Sequence, residues 1–315
     1  MKILVAPLNW GLGHASRSVA LVRRFLDEGH EVILGGDGDN LTLLRRHFPK
    51  LRYVYLAPLN LRYSKGKRQV WAMLKAMPQM IAWAFKDHVM LQAVLREEQI
   101  DRVVSDNRFG LYSKATECIY ITHQLHIFLP KGWRWLEPLA ERIHACIYTH
   151  YHQVWVPDYA DSLRSLSGAL GHPQKQYAPV QYIGPLSRFA YDKDEQDANT
   201  KYAVVAILSG LEPQRTMLEK EIVARYQDTE EQVLIVQGLL GRPNTQIKRN
   251  NITIVPHMED KEMARALLGA KHIIARSGYS TIMDLDTLGV LPKAELIPTP
   301  GQPEQEYLAL LLRKK

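Results

Sequence analysis

Short apolar runs recur along this chain with helical stretches between them, and that alternation constrains its fold more than any other feature. Lys2–Pro7 reads as the first strand. Ala15–Glu28 then has helical spacing, with Ala15, Val19, Val22, Phe25 and Leu26 on one face. Gly29 suits the residue just past that helix, and Glu31–Leu34 resumes as strand. Further strands are expected at Tyr53–Leu56, Arg102–Ser105, Ile119–Thr122 and Gln153–Val156, with helices over 70–98 and 137–150. Pro78 is expected to kink or divide the first of these helices.

The segment 182–199 has a different character: Gly184-Pro185, then Asp192, Lys193, Asp194, Glu195 and Asp197, a linker composition. Beyond it the alternation restarts at Tyr202–Leu208. A helix from about Pro213 follows, then strands Val233–Val236 and Ile252–Val255, a helix over 260–268, strand Ile273–Ala275, a helix near Ser280 and strand Glu295–Ile297. Strands alternating with helices imply mostly parallel sheets. The expectation is α/β: two doubly wound domains, 1–181 and 200–315, joined by the 182–199 linker.

Composition narrows the function classes. At 315 residues with 46% hydrophobic and 23% charged residues, the chain can build real cores and is not disordered. Cys118 and Cys146 lack metal spacing and read as reduced thiols of a cytosolic protein. The start is too short an apolar run for a secretory signal, and a membrane-spanning run of about 18 apolar residues is missing. A cytoplasmic location is therefore expected. The net charge of +7 favours an anionic partner: a nucleotide, an anionic lipid surface or a nucleic acid. The clustered basic–aromatic stripe of a nucleic-acid binder is missing.

Several turns after strands can carry chemistry. Asn9-Trp10-Gly11-Leu12-Gly13-His14 lets a ligand approach a helix start, and His14 at its mouth can take a proton from a hydroxyl or cap the turn. A dinucleotide fingerprint would need Gly or Ala where Ser16 stands, and an acid such as Asp37 or Asp39. Asp37-Gly38-Asp39 lacks further ligands, so no metal is expected. Ser209-Gly210, with Arg215, faces a phosphate or forms an ordinary tight turn. Arg276, Ser277, Gly278, Ser280 and Thr281 combine a charge, a close backbone approach and hydroxyls at a helix start, which suits a diphosphate. Asp284, one turn further, is placed for a ribose hydroxyl. His257-Met258 falls at a neighbouring strand end, and Glu304-Gln305 either holds sugar hydroxyls or forms an acidic first helical turn. Ser105-Asp106-Asn107-Arg108 and Thr122-His123-Gln124 are candidates for an acceptor rim shared with His14. The segment 62–86 interleaves Trp71, Met73, Met77, Met80, Ile81, Trp83 and Phe85 with Arg62, Lys65, Lys67, Arg68, Lys75 and Lys86. A core helix is its plainer reading; the alternative is a membrane-surface contact meeting a lipid-linked acceptor.

Three motifs together resemble the GT-B glycosyltransferases: Gly11-x-Gly13-His14, Ala275-Arg276-Ser277-Gly278-Tyr279-Ser280-Thr281, and Pro300-Gly301-Gln302-x-Glu304-Gln305-Glu306-Tyr307-Leu308-Ala309. The set is most similar to the MurG-like family, which adds N-acetylglucosamine to lipid I. The resemblance implies two Rossmann-like domains facing across a cleft, the first binding an acceptor and the second a UDP-sugar. By position, Ser277-Gly278 and Thr281 would meet the diphosphate, Asp284 the ribose, the backbone near Met258 the base, and Glu304 and Gln305 the donor sugar. His14 would be the base, with Gly11, Gly13, Asp106, His123 and Gln124 on the acceptor side. It further implies inversion, no metal, no cofactor beyond the UDP-sugar substrate, and a lipid-linked or small-glycan acceptor at the inner face of the membrane. The chain departs from the family at Asn9-Trp10, at Ser209-Gly210-Leu211-Glu212-Pro213 and at Glu304, where a His is usual. The family fold also continues past the last motif into a helix that returns to the first domain, so the second domain reads as shortened. A nucleotide-sugar epimerase or hydrolase, and a non-catalytic nucleotide-sugar- or lipid-binding protein, are the competing readings.

Overall fold

The computed structural model describes residues 1–59, 69–191, 198, 200–210 and 212–313, with backbone alone for 69–74. The charged run 192–197 of the expected linker, Leu211, and Arg62, Lys65, Lys67 and Arg68 lie outside the described residues. Two α/β sheets of Rossmann type organise the chain. The first contains β1 (Lys2–Pro7), β2 (Glu31–Gly36), β3 (Tyr53–Tyr55), β4 (Arg102–Asp106), β5 (Glu117–Ile121), β6 (Gln153–Val156) and β7 (Val180–Tyr182). Its order is β3-β2-β1-β4-β5-β6-β7, all parallel. Its helices are α1 (Gly13–Asp27), α2 (Gly38–His47), α3 (Gln69–Glu97) and α4 (Glu137–Tyr148).

The second sheet contains β8 (Val204–Ile207), β9 (Val233–Val236), β10 (Ile247–Arg249), β11 (Ile252–Val255), β12 (His272–Arg276) and β13 (Ala294–Ile297), in the order β10-β11-β9-β8-β12-β13. Only edge strand β10 is antiparallel. Helices α5 (Gln214–Tyr226), α6 (Asp260–Gly269), α7 (Tyr279–Thr287) and α8 (Pro303–Leu312) complete this half.

Both sheets are covered on two faces, which is why their strands read as unbroken apolar runs. Along β1, Leu4 and Ala6 join one core with Ile33 and Val103, while Ile3 and Val5 join the other with Val32, Leu34 and Val104. The second sheet divides in the same way: Val205 and Ile273 enter one core, Val204 and Ile274 the other. Strand order reverses between β1 and β4 in the first sheet and between β8 and β12 in the second. Ligands of such sheets bind at those reversals, beyond the strand carboxyl ends. Pro7 pairs with Asp106, and Ile207 with Ala275, so the loops that follow open at the two reversals.

Some elements differ from expectation. α3 runs unbroken through Pro78, because a missing N–H removes one bond while the adjoining turns continue the ladder. Asp37-Gly38-Asp39, expected as a turn, is the start of α2, with Asp37 in extended conformation before it. Tyr182, given to the linker by composition, ends β7, and Pro213 stands just before α5 rather than within its first turn.

Arg108, expected on an acceptor rim, is instead structural. Its fully buried guanidinium donates to both Asp87 oxygens at 2.8 Å, to Asp37 Oδ1 at 2.9 Å and to the Ala57 carbonyl at 2.7 Å. Trp83 Nε1 donates to that same carbonyl. One cation thus ties α2, α3 and the exits of β3 and β4, and it is buried only because its donors are satisfied. Asp87→Ala removes two acceptors of this buried cation and leaves Asp37 as its carboxylate partner, and should cost about 3 kcal/mol in urea unfolding, whereas Lys86→Ala on the exposed face should change stability by less than about 0.5 kcal/mol.

Candidate functional site

The loop leaving β1 turns at Gly11, whose φ of +77° favours glycine, and α1 begins at Gly13 with His14 in its first turn. His14 Nδ1 lies 3.0 Å from Asp106 Oδ1, at the carboxyl end of β4. One turn along α1, buried Arg17 donates through Nε to Asp106 Oδ2 at 2.6 Å and through Nη2 to Asp106 Oδ1. Burial works to raise the Asp106 carboxyl, but Arg17 and His14 outweigh it and hold the group well below the usual carboxylate range. Burial also pushes His14 below the ordinary imidazole value; Asp106 opposes this and Arg17 adds to it. An uncharged imidazole donating from Nδ1 to a carboxylate keeps the Nε2 lone pair for a substrate proton. Asp106, expected to touch an acceptor, is therefore the partner that orients His14.

In the second half, β8 delivers Ser209 and Gly210, the latter at φ +94°. β12 delivers Arg276-Ser277, and Gly278 precedes α7 without a side-chain cap, so the first N–H groups of that helix remain available. A Cβ placed on Gly11, Gly210 or Gly278 would meet nothing within 4 Å, so all three loops border open space. Thr281 is half-buried in the first turn of α7. Half-buried His257 and Met258 follow β11, and Met258 packs on the core.

Other residues serve the loops rather than the open space. Ser277 Oγ donates to the Gln305 carbonyl at 2.8 Å, and Gln305 Oε1 accepts from Thr299 N at 2.8 Å. Arg276 donates through Nη1 to the carbonyl of Pro298 at 3.1 Å and through Nη2 to that of Gln214 at 2.8 Å, so it organises the turns after β13 and at α5, while its Nε has no hydrogen-bond partner among the described residues. Arg215, also expected at a phosphate, is held by Glu212 Oε1.

The two halves meet at these residues. Ser280 Oγ donates to the Gly13 carbonyl at 2.9 Å, and a Cβ on Gly13 would lie only 2.9 Å from that oxygen. Tyr279 Oη donates to the Pro157 carbonyl, and its ring stacks on His123 with centroids 4.2 Å apart. His123 Nε2 is 2.7 Å from Glu304 Oε1, and Gln124 also bonds Glu304. Tyr307 of α8 accepts from Ala169 N at 2.8 Å. Glu304, expected at a donor sugar, thus engages His123 and Gln124, which were expected at an acceptor.

Asp284 requires a correction. It faces away from the α7 terminus, accepts from Ser187 Oγ at 2.6 Å and lies 3.5 Å from Arg188 Nε. The reason is helical geometry: Asp284 points to the side of α7 that packs on the segment after β7, not to its N-terminal mouth. Two residues escaped the sequence reading, Arg17 and Tyr279. The His14–Arg17 spacing puts both on one helix face, which is a usable signal for the first; the second shows none before the halves are docked.

Comparison with known proteins agrees with this architecture. No family model matches the chain. An uncharacterized glycosyltransferase of Methanosarcina acetivorans is 23% identical over 331 residues, covering 100% of this chain and 84% of that protein. Among solved structures, Acinetobacter baumannii MurG superposes with a TM-score of 0.51 at 16% identity, covering 99% of this chain and 83% of the other. Phytolacca americana UGT2, complexed with UDP-2-fluoro-glucose and pterostilbene, gives 0.58 at 14% identity, with coverage of 99% and 83%. These likenesses show the GT-B fold and support a glycosyltransferase.

The Asp284 environment has a measurable consequence. Burial raises its carboxyl to about 6, above the ordinary 3.8, with Arg188 and Ser187 opposing. A folded-state value above the unfolded one means stability present at low pH and lost as pH rises from about 4 through 6. Asp284→Asn, which keeps an acceptor for Ser187, should raise stability at pH 8 by up to about 3 kcal/mol, with the difference closing near pH 4. Thermal unfolding against pH measures this.

Proposed function

We propose that this chain is an inverting, metal-independent glycosyltransferase that moves a hexose or N-acetylhexosamine from a UDP-sugar to an acceptor hydroxyl. The observation that carries the reading is the uncharged His14, aimed by Asp106 and set opposite the uncapped N-terminus of α7. The His14 Nε2 lone pair takes the acceptor's hydroxyl proton as that oxygen attacks C1 of the donor sugar. The C1–O bond to the diphosphate breaks on the opposite face, which inverts the carbon. The leaving oxygen's charge is met by backbone N–H groups around Gly278–Thr281 and by the positive end of α7. Ser209 and Gly210 extend the phosphate-binding rim, and His257 and Met258 border the base. The motif likeness supports a UDP donor, in keeping with the UDP-2-fluoro-glucose bound by the Phytolacca neighbour.

A lipid-linked acceptor is favoured by the surface of the first half. Met77, Ile81, Phe85 and Val89 are exposed at four-residue intervals on α3, forming one apolar stripe with Lys86 beside it. Phe85 and Val89 border an apolar groove with Ala57, Pro58 and Met90. Trp135, Leu139 and Ile143 form a second exposed row along α4 and the turn before it. Among the described residues no helix is long and apolar enough to cross a membrane, so the proposed contact lies on the surface.

Thermal-shift screening with UDP-, GDP-, TDP- and CMP-sugars should show stabilisation by the UDP-sugars; no shift with any of them overturns the reading. Donor consumption without acceptor would favour an epimerase or hydrolase, and binding without transfer a binding protein. His14→Ala should lower kcat by about 10²–10⁴-fold while UDP affinity stays unchanged. Because His14 is held below its ordinary value, the wild-type rate should decline only when pH falls below the usual imidazole range. Ile81→Ser with Phe85→Ser should reduce co-sedimentation with anionic vesicles and leave transfer to a soluble acceptor analogue intact.

A further inference from the structure

We propose that Arg17 is a positioning residue that passes the docking of α8 on to His14, so that the second half of the molecule sets the tautomer of the base. The inference rests on His14 as base and goes beyond it, because it assigns work to Arg17, His123 and Glu304 that no donor or acceptor contact requires.

A guanidinium only donates and a carboxylate only accepts, which fixes the direction of each bond. Arg17 commits Nε and Nη2 to Asp106 in a fork. Its remaining arm, Nη1, lies 3.4 Å from His123 Nδ1. His123 Nε2 is 2.7 Å from Glu304 Oε1, so Nε2 carries the proton that Glu304 accepts. Nδ1 is then left as an acceptor, since a proton there would meet the guanidinium's own N–H. The ordered chain runs from Arg17 Nη1–H to His123 Nδ1, and from His123 Nε2–H to Glu304. The Tyr279 ring, stacked on His123, holds that imidazole in plane for both contacts.

The consequence appears at His14. Arg17 Nη2 lies 2.9 Å from His14 Nδ1 as well as against Asp106 Oδ1. Two arrangements therefore compete. In one, His14 Nδ1–H donates to Asp106, and Nε2 is free to accept a proton. In the other, Nδ1 accepts from Nη2, the proton sits on Nε2 and the base is disabled. A guanidinium seated squarely on Asp106 and pinned at its third arm by His123 favours the first. Without Glu304, His123 is free to exchange tautomers, Nη1 loses its acceptor, and the guanidinium can turn toward His14. Asp106 and Arg17 face His14 directly, and His123 also acts on it through space; Glu304 and Tyr279 act on it through Arg17 and His123.

Imidazole ¹H–¹⁵N correlation spectra of the 315-residue chain test this, with signals assigned from His14→Gln and His123→Gln. Wild type should show His14 protonated at Nδ1 and His123 at Nε2. Glu304→Ala should mix the tautomers at both histidines. A Glu304→Ala spectrum in which His123 changes and His14 does not would overturn the proposal. Arg17→Lys keeps the charge without the fork and should also mix the His14 tautomers, with circular dichroism establishing that the variant is folded. An unchanged His14 there counts equally against it. Should Arg17→Lys fail to fold, Glu304→Ala still decides, because the Glu304 side chain is 32% exposed. The tautomer is read without substrate, so failure of this inference and failure of the transferase reading are separately visible.

Discussion

The buried carboxylate of Asp106 is the point from which the site is built. It lies where β1 and β4 diverge, with almost no access to water, and is kept ionised by the Arg17 fork. Unpaired, a charge in that position would neutralise or unseat the strand end. Paired, it becomes a fixed acceptor for the first turn of α1. The catalytic geometry proposed for His14 is thus a by-product of solving a burial problem: the pair that makes Asp106 tolerable also sets the direction in which His14 points.

The two sheets contribute different things. The first supplies the oriented imidazole of His14, proposed as the base, and the second a helix terminus without a side-chain cap, bordered by loops with room for a ligand. Neither alone has both. Their docking combines an apolar seam, where Ala20, Leu166 and Leu170 enter the core of the second half, with directional contacts that include Ser280 to Gly13, Tyr279 to Pro157, His123 to Glu304 and Tyr307 to Ala169. Hydrogen bonds give the interface its direction, and the apolar seam beneath them makes the core of the second half depend on its docking to the first.

Much of the fold was legible. β6, β9 and β11 match the expected limits to the residue, because strands buried on both faces tolerate almost no polar interruption. α2 was not legible: its polar Asp37-Gly38-Asp39 opening has turn chemistry, and it is the distant partners Arg108 and Asn9 that explain why Asp37 is there. β7 was missed because its Val180-Gln181-Tyr182 run abuts Gly184-Pro185 and the charged segment beyond, whose composition reads as linker. At the site, the glycine turns and helix starts were readable from composition. The targets of the long polar side chains were not.

The chain by itself determined the alternation, the parallel sheets and the placing of loops at their carboxyl ends, since those follow from local periodicity and from burying both faces of every strand. Tertiary structure decided the partners. Asp284 turned to Ser187, Arg276 to backbone carbonyls, Arg108 to Asp87, and Glu304 to His123. A charged side chain of several rotatable bonds is assigned by whatever donor or acceptor the fold brings within about 3 Å, over sequence separations that no local pattern records.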